Sequence, residues 1–177
     1  MTLPPRTRKA LLAVHLTVSV GWVGAAGSYV ALAVAAARSD DAELIRGAWS
    51  AMELIGWYVL VPVAIATVLT GVLLALGTRW GLLRHYWVLI SLGLTVAATA
   101  VLLLHMPDVS ALQAQASRAS AGELESIGSD LGHSTLGLLL LLVILVLNIY
   151  KPRGLTRRGW RLQQERPERD PNATRRA

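Results

Sequence analysis

The sequence contains no cysteine and no phenylalanine, and charged residues make up only 16% of its 177 positions. The absence of cysteine excludes disulfide bonds, thiolate metal ligands and a cysteine nucleophile. A soluble domain carries about a quarter charged residues, so this chain is poor in charge for that class. Its apolar segments also lack paired carboxylates, and the chain lacks a glycine-rich phosphate loop and an HExxH motif. These absences favour a protein that is not an enzyme.

Much of the chain consists of long segments without charged residues. The segment Ala10–Ala37 holds 28 residues without Asp, Glu, Lys or Arg. As a helix it would reach roughly 40 Å, whereas the hydrocarbon core of a bilayer is ~30 Å thick. It is also too long for the apolar region of a cleaved signal peptide, so we expect it to be retained. The pattern recurs three times and predicts an all-α bundle of four transmembrane helices, at 10–36, 52–77, 87–106 and 133–150.

The basic residues predict how the bundle is oriented. The leader 1–9, the loop 78–86 and the tail 151–177 together carry 14 of them, and the other two connections carry three. Because basic residues favour the cytoplasmic side, both termini are predicted to be cytoplasmic, in a bacterial inner membrane. The tail alone holds nine basic and three acidic residues, which suits anionic lipid headgroups rather than nucleic acid. Its end is predicted to be disordered.

Local signals suggest where helices start, bend and stop. Ser39 or Asp40 is expected to cap a short helix that leads into the second span. Pro62 should kink that span or leave a carbonyl free. Pro107 should end the third span, which would make 108–132 a polar connection whose middle could form an interfacial helix.

Small residues indicate how the spans pack, since close approach is what lets helices associate in lipid. The first span offers Gly21, Ala25 and Ser28, which serve either packing within the bundle or a homodimer seam. The second and third spans carry similar faces, whereas the fourth is predicted to be the most lipid-exposed. Trp22 lies inside the first span, where its indole N–H needs a partner. Other tryptophans lie near span ends, where an aromatic belt is expected.

Histidine is the residue type that brings chemistry to these spans. His15 and His85 are predicted at the cytoplasmic level, and His105 and His133 at the outer level. Two imidazoles at one depth on different helices could hold haem b. The outer pair could instead hold a metal ion with Met106, and Asp108 lies nearby; a thioether beside imidazoles favours copper over zinc.

Each histidine also has a purely structural interpretation. His85 could anchor the helix at the membrane interface, and His105 and His133 could be ordinary helix-end residues. His15 lies a turn and a half inside a span, where an ionisable group is a functional candidate. Its structural alternative is a hydrogen bond to Ser19 or to a carbonyl.

The first-span segment VHLTVSVGWVGAAG resembles the signature of the CopD-like group of bacterial membrane proteins, a histidine followed by a tryptophan between small residues. Among them the chain looks most similar to an uncharacterised predicted integral membrane family of actinobacteria. The resemblance also covers Pro62, Thr70-Gly71 and Trp87. It implies four spans and a haem or metal role for the histidine at position 15.

Three functional hypotheses follow. The first is a non-enzymatic membrane protein that holds haem b or a metal ion through its intramembrane histidines. The second is a copper transport or resistance protein, or a haem-dependent electron carrier. The third is a structural membrane subunit of a larger complex.

Overall fold

The computed structural model describes residues 3–77, 85–124, 127–152 and 154–164. The described chain is all-α, and four of its helical stretches are long and apolar enough to cross a membrane, which confirms the predicted four-helix fold class. The elements are α1 (Pro5–Arg38), α2 (Ala42–Ile55), a π-helical turn (Gly56–Leu60), α3 (Val61–Gly77), α4 (Tyr86–Arg118), α5 (Ala121–Leu124), α6 (Leu131–Tyr150) and α7 (Arg157–Gln164).

Both ends of the described chain lie at the same end of the bundle. The N–H of Leu3 donates to the carbonyl of Gly77 at 3.0 Å, and the N–H of Tyr86 donates to the carbonyl of Gly154 at 3.2 Å. We call this the proximal end and the opposite one the distal end. That the proximal end is cytoplasmic stays a prediction, and much of its basic charge, in 78–84 and 165–177, lies outside the described residues.

A short helix leads into the second span, as predicted, and the continuous helix contains a change of helical pitch. Its cap is Asp41, whose carboxylate accepts the N–H of Glu43 at 2.9 Å, so the expected cap at Ser39 or Asp40 was wrong. The helix then runs to Gly77 through the π-helical turn. Within that turn the N–H of Val61 donates to the carbonyl of Gly56, five residues back. The wider turn comes immediately before Pro62, which has no N–H to offer an α-helical partner.

The prediction that Pro107 ends the third span was wrong. Helix α4 continues through Pro107 to Arg118, a length of about 50 Å at 1.5 Å per residue. The continuation is held by packing, since Val109 and Ala116 are completely buried and α4 contacts α2 along this stretch. Tertiary burial therefore outweighs the lost backbone hydrogen bond, and much of the polar connection is helix packed on α2.

The buried face of α1 is not the one that its glycines suggested. Its buried residues are large or aromatic as well as small: Trp22, Ala26, Tyr29, Ala33 and Ala36. Gly21 and Ser28 are exposed, so the expectation that they pack within the bundle was wrong. The alternative, a homodimer seam, stays a prediction.

The small residues of the other spans behave as predicted. Ala64 and Thr67 of α3 are buried, and so are Ser91, Thr95 and Thr99 of α4. The threonine hydroxyls bond to carbonyls of their own helices, so they add no unpaired polar atom to the interface. Helix α6 has the smallest buried share of the four spans, as expected from its Leu/Val/Ile composition.

Candidate metal site at the distal end of the bundle

The structure brings together the two histidines that were predicted to share the outer level. His105 lies on α4 just before Pro107, and His133 lies in the first turn of α6, which packs against α4. Their rings stack with centroids 3.9 Å apart and planes inclined by 1°. Two helices that run in opposite directions thus present both imidazoles at one depth.

A buried carboxylate that the sequence analysis missed completes this cluster. Asp130 is 7% exposed, and its Oδ1 lies 2.9 Å from Nε2 of His105. Because a carboxylate only accepts, the imidazole is the donor. The phenol of Tyr29, on α1, donates to Oδ2 of the same carboxylate at 2.7 Å. Asp130 therefore ties α1, α4 and the start of α6 together.

A sequence signal for Asp130 did exist. It immediately precedes the fourth span and stands three residues before His133. Residues three apart at a helix start lie on the same face, so the carboxylate and the imidazole point into the same region. The signal was overlooked because Asp130 lies in a polar connection, where an acid usually faces water.

His105, Asp130 and His133 form a group with the geometry of a potential metal site. One ligand atom from each lies within 4.8 Å of the other two. Ligands of a tetrahedral ion at 2.0–2.1 Å lie roughly 3.3 Å apart, so the group must contract by about 1.5 Å at most. His133 is exposed and can rotate, whereas His105 and Asp130 are held by their hydrogen bond.

The other two predicted ligands, Met106 and Asp108, have different surroundings. The thioether of Met106 is buried, 1% exposed, and lies directly against Gly56 in the π-helical turn, where an added Cβ would collide with it. Asp108 is exposed. The residue grouped with the two imidazoles is thus a carboxylate. Met106 also lines the cavity beside them, so its role as a soft ligand and the preference for copper that it suggested stay predictions.

The stacked rings also bear on haem. An axial imidazole directs a ring nitrogen at the iron within its own plane, so two axial ligands lie end to end across the porphyrin. His105 and His133 lie face to face instead. This arrangement does not fit bis-histidine haem ligation.

The two proximal histidines have separate partners. Nδ1 of His15 lies 2.8 Å from Oγ1 of Thr70, in α3. That hydroxyl donates its proton to the carbonyl of Ala66 at 2.7 Å, so it accepts from the histidine. His85 precedes α4 and pairs with Leu155 in a short backbone bridge. The alternative bond from His15 to Ser19 was wrong.

An apolar cavity of about 290 Å³ lies next to the cluster, between α1, α4 and α6. His105, Asp130 and His133 form its polar wall, and Trp22 and Tyr29 line it from α1. Most of the remaining lining consists of aliphatic side chains. The cluster is therefore shielded on one side by apolar surface and open on the other through the exposed His133.

No family model, curated protein or solved structure matches this chain. The fold and the composition define a multi-pass α-helical membrane protein. Its distal end carries a histidine–aspartate group that could bind a metal ion. The resemblance of the first span to the CopD-like group stays an expectation.

Proposed function

We propose that this chain is a multi-pass protein of the bacterial inner membrane that binds a divalent late transition-metal ion through His105, Asp130 and His133. The observation that carries the proposal is the convergence of these three side chains, from two helices and the turn before α6, within 4.8 Å. Two imidazoles and a carboxylate with an open position are a common ligand set for catalytic zinc, and they also suit copper(II).

The surroundings of the cluster support metal binding. Metal ligands are usually held by further hydrogen bonds, and the phenol of Tyr29 fills that role for the second oxygen of Asp130. The ion would replace the proton that His105 now donates to Asp130. The exposed edge of His133 gives an ion in the surrounding water access to the cluster.

The wider assignment rests on the sequence. The CopD-like group, which the first span resembles, includes copper-resistance membrane proteins; its signature concerns His15 at the proximal end, so it supports the class of membrane protein and not the distal site. The helix α7 supports contact with anionic lipid, because it carries three arginines and an exposed Trp160 close to the proximal end of the bundle.

Zinc binding to the purified protein tests the proposal. Protein in lipid nanodiscs is stripped with EDTA, dialysed against zinc or copper(II), and analysed for bound metal. We expect one ion per chain, and a loss of affinity of about 100-fold or more in His133→Ala, which removes a ligand at an exposed position. His85→Ala is the matched control, because it removes an imidazole at the other end of the bundle. Equal metal content in both variants would rule out this site.

A further inference from the structure

The cavity beside the cluster points to a second ligand. We propose that it binds a membrane-soluble aromatic alcohol, a phenol or hydroquinone of one or two fused rings, with its hydroxyl directed at the His105–Asp130–His133 cluster. Binding of this ligand does not require a metal ion, since the cavity and its polar wall are formed by the protein alone.

The cavity opens towards lipid. Val101 of α4 and Leu136 of α6 both line it, and these residues are 51% and 70% exposed. In a membrane-spanning bundle, such exposed aliphatic residues face acyl chains. The opening between α4 and α6 therefore admits molecules already dissolved in the bilayer, which selects for apolar ligands.

The size of the cavity limits the ligand. An apolar cavity of about 150 Å³ is enough to bind benzene. The present cavity, at about 290 Å³, is about twice as large and suits a head group of up to two fused rings. Trp22 and Tyr29 form part of its wall, and aromatic side chains add favourable ring contacts to simple burial.

The polar wall selects for a hydroxyl donor. Two donors of the cluster, the phenol of Tyr29 and Nε2 of His105, are both used by Asp130. A neutral imidazole keeps a lone pair on its other nitrogen, so His105 and His133 can each still accept a hydrogen bond. A ligand hydroxyl supplies the missing donor, whereas an ether or a hydrocarbon of the same shape does not.

Two naphthalene derivatives test this with the metal-free protein in nanodiscs. Equilibrium dialysis compares 2-naphthol with 2-methoxynaphthalene, which has the same rings but cannot donate, and binding to empty nanodiscs is subtracted. We expect the protein to bind 2-naphthol about fivefold more tightly, the value of one net hydrogen bond. The variant His133→Phe, which keeps a ring stacked on His105 and leaves the bond between His105 and Asp130 intact, should weaken that preference.

A matched pair of variants locates the site. Gly137 of α6 lines the cavity and has open space where a Cβ would lie, so Gly137→Leu fills the cavity and should abolish the excess binding. Gly93→Leu makes the same change at an exposed position that does not line the cavity, and binding should be retained.

Each adverse outcome overturns a distinct part of the inference. Equal binding of both compounds would show that they occupy the cavity through apolar contacts alone and that the protein does not recognise the hydroxyl. Equal binding by Gly137→Leu and wild type would place any ligand elsewhere. A failure to bind zinc would refute only the metal proposal, because naphthol binding is measured on the metal-free protein.

Discussion

The hydrogen bond between Tyr29 and Asp130 gives the sharpest test of how the distal end is built. Both residues are buried, at 5% and 7% exposure, and the phenol donates to the carboxylate at 2.7 Å. We expect the pair to contribute a coupling free energy to folding that neither residue contributes alone. The perturbation is a double-mutant cycle of Tyr29→Phe and Asp130→Ala.

The expected magnitude follows from two opposing estimates. A hydrogen bond to a charged group contributes about 1.5–3 kcal/mol in soluble proteins. Hydrogen bonds between membrane helices average about 0.6 kcal/mol and reach about 1.7 kcal/mol. Because this bond is short and its acceptor is a carboxylate, we place the coupling near the upper end, at about 1.4 kcal/mol, or tenfold in the unfolding equilibrium.

Unfolding in mixed micelles of dodecylmaltoside and sodium dodecyl sulfate, followed by far-ultraviolet circular dichroism, measures all four corners of the cycle. The Asp130→Ala variant also loses the bond from His105, but the cycle subtracts that contribution. A control cycle pairs Tyr29→Phe with Glu43→Ala, whose side chain is exposed and bonds to Arg46, and should be additive. A Tyr29–Asp130 coupling below about 0.3 kcal/mol would refute the reasoning, because it would be indistinguishable from additivity.

Three further predictions concern the scaffold. Gly56→Ala brings a Cβ against the flexible end of the buried Met106 side chain, which must move towards the cavity, so we expect a cost of about 1 kcal/mol. Gly47→Ala, where a Cβ has open space, should be neutral or stabilising, and equal melting temperatures of the two variants would contradict this. Asp41→Ala removes a helix cap and should cost about 1 kcal/mol, measured by the same unfolding assay. Hydrogen bonds from the backbone N–H and then the hydroxyl of Ser120 lower the pKa of Glu123, so the small stabilisation they give is present above the usual carboxyl pKa and lost as the pH falls through the lowered one. Because Ser120→Ala removes only the hydroxyl, NMR titration of that variant should show a pKa of Glu123 that rises but stays below its usual value.

Hydropathy predicted the fold class because the bilayer imposes it. A segment that crosses lipid must be long, apolar and internally hydrogen-bonded, and these properties depend only on the residues of that segment. The positions of the helix ends do not follow from the local sequence in this way, since they depend on packing beyond the apolar core. Pro107 illustrates this, because its local signal to stop is outweighed by the burial of Val109 and Ala116 against α2.

The candidate site was partly predictable for a similar reason. Depth along a helix follows from residue count, so His105 and His133 could be placed at one level. The direction of a side chain depends on which helices become neighbours, and this is a property of the whole bundle. The thioether of Met106 therefore packs against Gly56, although the residue also lines the cavity, and Asp130 turns inward from a connection that looked exposed.

The cost of the cluster argues that it serves more than stability. A carboxylate buried against apolar helices carries a desolvation penalty of several kcal/mol, which the bonds from Tyr29 and His105 offset only in part. Apolar side chains of similar volume at these three positions would hold α1, α4 and α6 together at least as well. Exposure within the cluster increases from the buried Asp130 to the exposed His133, so the cluster connects an apolar cavity with the surrounding water. A structural role needs no such connection, whereas an ion from the water and a ligand from the lipid would both require it.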